Sequence, residues 1–99
     1  MTLDNGYEMK TTFWEDFTIA DSFGVEAIRD TYARAFEEWK KNIEYITELV
    51  IVLNHKIWQW YEKDEKIARV YNDLYEELDN WVFENFNEEE IQYFLKITD

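Results

Sequence analysis

The side chains in this sequence that could do chemistry are nearly all carboxylates. Asp73, Glu76, Glu77 and Glu84 recur at steps of three, four and seven, with Asp79 between them. On an α-helix such steps bring side chains to one side. A row of carboxylates on a rigid rod can imitate a strand of phosphates, and its natural counterpart is a basic protein surface. An ordinary solvated helix face has the same pattern.

Other chemistries find less support. Glu62/Glu65 and Glu76/Asp79 match the ExxE and ExxD patterns by which all-α nucleotide pyrophosphohydrolases hold magnesium. Only residues 66–75 separate the two motifs. Both border or lie on one expected helix, about 15 Å apart along its axis, so they can face each other only across a dimer. A ferritin-like centre needs two Glu-x-x-His pairs, and the single histidine, His55, has no Glu three residues before it. The absence of cysteine excludes disulfides and thiolate chemistry. Two glycines cannot build a phosphate-cradling loop. His55 reads as a partly exposed helical histidine without a catalytic partner. The expectation is a protein that is not an enzyme and uses no cofactor or metal.

Charge and aromatic content set the class. Ten basic residues against twenty-three acidic ones give a net charge of −13. Such a field disfavours direct binding to nucleic acid or an anionic membrane and steers the protein toward basic partners. Residues 62–99 hold twelve acids against four bases, a net of −8, while residues 1–61 hold eleven against six, a net of −5. The excess therefore concentrates on the second half of the chain. Seven Phe, five Trp and seven Tyr supply the apolar area that disordered acidic chains lack. Ninety-nine residues suit one domain. The start of the chain lacks the basic and apolar regions of a signal peptide, and no apolar run is clean enough to span a membrane. A cytoplasmic setting is expected.

The elements that must position these residues are helices. Ile43, Ile46, Val50, Leu53, Ile57 and Trp60 follow steps of three and four through the most apolar stretch of the chain. That stretch reads as a core helix. Upstream, residues 1–11 show no periodicity and read as a flexible N-terminal arm; residues 12–99 form a single helical domain. Thr12 and Glu15 suggest a capping box opening a short helix that buries Phe13, Phe17 and Ala20. Gly24 should close it in a left-handed conformation.

From Val25 the apolar steps run through Ile28, Tyr32, Ala35 and Trp39 into Ile43 without a gap. The expectation is one helix from about Val25 to about Glu62, bent near Asn42 and roughly 55 Å long. The alternative is a compact bundle broken at Asn42, which can cap a new helix. Asp64 should cap the next helix, carrying Ile67, Tyr71, Leu74, Leu78 and Trp81 on one stripe. Asn87 with Glu90 forms a second capping box before a short final helix. The fold class is thus all-α, a small bundle of four to five helices built on a long central helix.

Trp58 lies beside the main stripe of the core helix and reads equally as packing or as a partner contact. Exposed there, it would suit a homodimer.

The segments FWEDFTIADSFG, IRDTYARAFEEWK, YITELVIVLNHKIWQWYE and YNDLYEELDNW resemble an uncharacterised family of small acidic proteins. That family is carried by conjugative elements, plasmids and phages of gut Gram-positive bacteria. The resemblance covers Phe13 to the end and implies a genetic setting rather than any functional residues. Small acidic proteins in that setting often act as anti-restriction or anti-CRISPR inhibitors. Together these readings predict a binding protein whose Asp73, Glu76, Glu77, Asp79 and Glu84 engage the basic surface of a nucleic-acid-binding protein, with Trp58 as a second contact.

Overall fold

Eight consecutive residues, Ile46 to Leu53, are buried, which is possible in a helix only if other elements surround it on every side. The computed structural model describes residues 6–98 and shows how this is done. Five helices follow one another: α1 (Phe13–Asp21), α2 (Val25–Trp39), α3 (Ile43–Trp60), α4 (Glu65–Asn85) and α5 (Glu88–Thr98). α3 is the central element and packs against all four others, most extensively against α4. No strand occurs among the described residues.

The long helix expected from Val25 to Glu62 is two helices, and this is a correction. The chain leaves helical geometry at Asn42, whose φ of −107° and ψ of 103° are extended. Its side chain accepts the Tyr45 amide at 3.2 Å and so starts α3. The physical reason is closure of the core. The molecule measures 36 × 27 × 20 Å, too short for a rod of about 55 Å, and folding at Asn42 lets α2 return along α3.

The other boundaries follow local signals more closely. Asp64 caps α4 by accepting the Lys66 and Ile67 amides. Asn87 and Glu90 form a reciprocal box: the Glu90 amide donates to Asn87 Oδ1 at 2.8 Å and the Asn87 amide to Glu90 Oε1 at 3.3 Å. At α1 the expected box is absent, because the Thr12 hydroxyl donates to Asp16 at 3.1 Å instead of capping the backbone.

Gly24 closes α1 and opens α2. Its φ of 101° is positive as expected, but its ψ of −172° is extended rather than left-handed helical. That region belongs to glycine alone. The amides of Phe23 and Gly24 both donate to the Ala20 carbonyl, at 3.0 and 3.2 Å, and α2 turns back on α1 at once.

The core unites Phe13, Phe17 and Ala20 of α1 with Ile28, Tyr32 and Ala35 of α2, Ile46, Leu49, Val50, Val52 and Leu53 of α3, Val70, Tyr71, Leu74, Leu78 and Val82 of α4, and Phe94 of α5. Of the expected arm, residues 1–5 lie outside the described residues. From Tyr7 onward it is anchored: the Tyr7 hydroxyl and the Lys10 and Thr11 amides all donate to the Glu48 carboxylate at 2.8–2.9 Å.

Candidate functional site

The acidic side chains singled out from the sequence sit on α4, which turns its apolar stripe to α3. With about 100° per residue, Asp73, Glu77 and Glu84 fall within about 40° of one another. Glu76 lies about 60° to the side of Asp73. All four are exposed. Asp79 does not join them, since it falls about 160° from Glu77. It is half-buried, and burial lifts its carboxyl above the ordinary value of 3.8.

The four ion pairs among the described residues engage Lys10, Lys40, Lys56 and Arg69 with Glu44, Glu37, Asp21 and Glu65. None touches the α4 row, whose charges therefore face solvent unneutralised. Glu77 also acts inward: burial foremost, and the Glu77 charge after it, push the Tyr32 hydroxyl well above its usual range. This places the row beside the seam between α2 and α4, where Phe36 meets the edge of Trp81 at 5.0 Å.

Trp58 lies in the last turn of α3 and is 68% exposed; it leans on Tyr61, 61% exposed, with ring centroids 5.7 Å apart. Trp60, by contrast, packs against the core. The two candidate surfaces thus stand on different helices. His55 is exposed and meets the edge of Trp14 at 6.5 Å. Glu62, Glu65, Glu76 and Asp79 form no metal cage, and no cluster of three or more metal-ligating side chains occurs among the described residues.

Two charged residues that the sequence pattern passes over lie at the centre of the molecule. Glu48 and Lys56 are both fully buried on α3. Glu48 holds the segment before α1. Lys56 donates to Asp21 Oδ2 at 2.8 Å and to Thr18 Oγ1 at 3.0 Å, with its ammonium 4.3 Å from the centre of the Trp14 ring. The Tyr71 hydroxyl donates to the other Asp21 oxygen. Burial, followed by the hydrogen bond to Asp21 and its charge, keeps that phenol neutral far above its ordinary range. These networks bind α1, α3 and α4 into one unit.

The fold and these surfaces define an all-α five-helix bundle with an acidic helical face. No protein-family model matches the chain, and neither a curated protein nor a solved structure is significantly similar to it.

Proposed function

We propose that this protein is a non-catalytic binding module whose α4 face engages a basic protein surface. The observation that carries the reading is the unneutralised row Asp73, Glu76, Glu77 and Glu84, fixed on a helix that the core holds rigidly. Its charge density supports the comparison with nucleic acid. The four carboxylates span about 16 Å of helix axis. One DNA strand carries about five phosphates over that length, at 3.4 Å each.

In its concrete form the module is an anti-defence inhibitor of the anti-restriction or anti-CRISPR kind. It would occupy the phosphate-binding surface of a protein that handles nucleic acid. The resemblance to small acidic proteins of mobile elements gives this form its setting. Asp79 would contribute least, as it stands apart from the row.

The test is capture of partners from host lysate on the immobilised protein, with elution by salt and by short duplex DNA. Exposed charges are screened within about 8–10 Å at ordinary ionic strength, so both eluents should release the partner. The triple variant Glu76→Lys/Glu77→Lys/Glu84→Lys should capture none of it. Capture that survives this reversal would remove the reading.

The exposed pair Trp58 and Tyr61 supports a second reading, a self-associating structural or regulatory module. It requires a salt-resistant dimer in sedimentation equilibrium that dissociates on Trp58→Ala.

A further inference from the structure

A second surface lies on the opposite flank of α2 from the α4 row. The tight turn at Gly24 sets α1 beside α2 and leaves a groove of about 540 Å³ between their outer faces. One wall carries Asp16, Ile19, Ala20 and Phe23, the other Ala27, Asp30, Thr31, Arg34 and Glu38. Both walls follow helical steps of three and four, so each is a continuous ridge. A smaller cavity of about 340 Å³ shares Asp16 and Glu38 with the groove and extends it past Phe13 and Ala35 toward Trp39.

The composition of the groove says what it would hold. Ile19 is 61% and Phe23 77% exposed, the largest apolar side chains left open on α1 and its turn. The rim of the main groove carries three carboxylates, Asp16, Asp30 and Glu38, against the single guanidinium of Arg34, and Lys10 in the extension is paired with Glu44. None of the four rim residues forms an ion pair among the described residues. A groove between two helical ridges, one of them carrying exposed apolar side chains, accepts a third helix with anchors at steps of three and four. The acidic rim selects one whose anchors are flanked by Lys or Arg. A second copy of this chain would bring a net charge of −13 to that rim and is the disfavoured occupant. From Ala27 to Glu38 the wall measures about 16 Å, or three helical turns.

We infer that the α1–α2 groove is a docking site for a basic amphipathic helix of a partner protein, separate from the α4 face. The partner's apolar anchors cover Ile19 and Phe23, and its basic flanks meet Asp16, Asp30 and Glu38.

A direct test uses a labelled synthetic helical peptide with leucine anchors at steps of three and four and lysine flanks, titrated by fluorescence anisotropy. A control peptide carries glutamate in place of lysine. The lysine peptide should bind saturably and the glutamate peptide should not. Ile19→Ser/Phe23→Ser alters only exposed side chains and should weaken binding by roughly tenfold or more, as loss of interface anchors does. Asp30→Lys/Glu38→Lys should weaken it comparably. The α4 variant Glu76→Lys/Glu77→Lys/Glu84→Lys should leave it within about twofold, because those charges lie across α2 and are largely screened. Two outcomes would overturn the inference: no saturable binding, or binding lost with the α4 reversal and indifferent to Ile19 and Phe23. Failure of the α4 module would leave this titration unchanged.

Discussion

Lys56 shows how a single residue can organise three helices without declaring itself in sequence. It and Glu48 are charged residues within the apolar core helix, and both are fully buried. Their partners lie far off in the chain. Asp21 lies thirty-five residues away in the chain, and the amides held by Glu48 lie thirty-seven and thirty-eight residues away. Periodicity reports only which side of a helix a residue occupies; a side buried by another element and satisfied by distant partners leaves no local mark. The carboxylates of α4 were legible for the opposite reason, since their alignment is fixed within one helix. Burying an ion pair is costly, and removing one partner strands the other. Lys56→Met should therefore lower unfolding stability in urea by about 3–5 kcal/mol. Asp21→Asn added to it removes the stranded charge, so the double variant should be more stable than Lys56→Met alone. A double variant that loses the full sum of the two single effects would show that the pair acts through packing rather than charge.

At the scale of the elements, the two helix junctions contrast. Gly24 was legible because no other residue readily takes a positive φ at such a turn. The break at Asn42 was not, because Trp39, Ile43 and Ile46 continue the helical apolar pattern across it. Whether Asn42 caps a new helix depends on the gain from folding α2 back over α3, which no local window contains. The Gly24 turn also builds the α1–α2 groove, whose walls come from two helices and so escaped a reading made helix by helix. A Cβ at Gly24 would meet no atom within 4 Å, so substitution there tests the backbone alone. Gly24→Ala should cost about 1–3 kcal/mol, the strain of holding a side-chain-bearing residue in a glycine-only conformation. Thermal unfolding followed by circular dichroism measures it. An unchanged Tm would mean that the turn relaxes to a negative φ, and the spacing between α1 and α2 would then change with it.

For the whole molecule, fold class and most of the core followed from composition and periodicity, and what the structure adds is a set of phenols held within an acidic shell, Tyr32 and Tyr71 buried and Tyr7 half-buried. Tyr7, Tyr32 and Tyr71 all have hydroxyls raised well above their ordinary value of 10.0. Burial is the largest cause for each. Hydrogen bonds to Tyr93 and Glu48 add to it at Tyr7, the Glu77 charge at Tyr32, and the bond to Asp21 at Tyr71. The sign follows from linkage. A group whose pKa is higher folded than unfolded contributes stability that is complete below the unfolded value and is lost as pH rises above it, because the unfolded chain releases the proton first. Stability should therefore be insensitive to these tyrosines up to about pH 10 and should fall steeply beyond it. Lysine deprotonation in the same range adds repulsion to a chain already at −13, but salt screens that repulsion and leaves the phenol contribution in place. Alkaline titration at low and high salt, read by tyrosinate absorbance and by helical circular dichroism, separates the two. The expected result is a group of tyrosines that ionise only as the helices melt, at both salt concentrations, with one fewer delayed phenol in Tyr71→Phe. If every tyrosine ionised near pH 10 with the helices intact, the junction of α1, α3 and α4 around Asp21 would have to be open to water, and the bundle could not be closed at its centre.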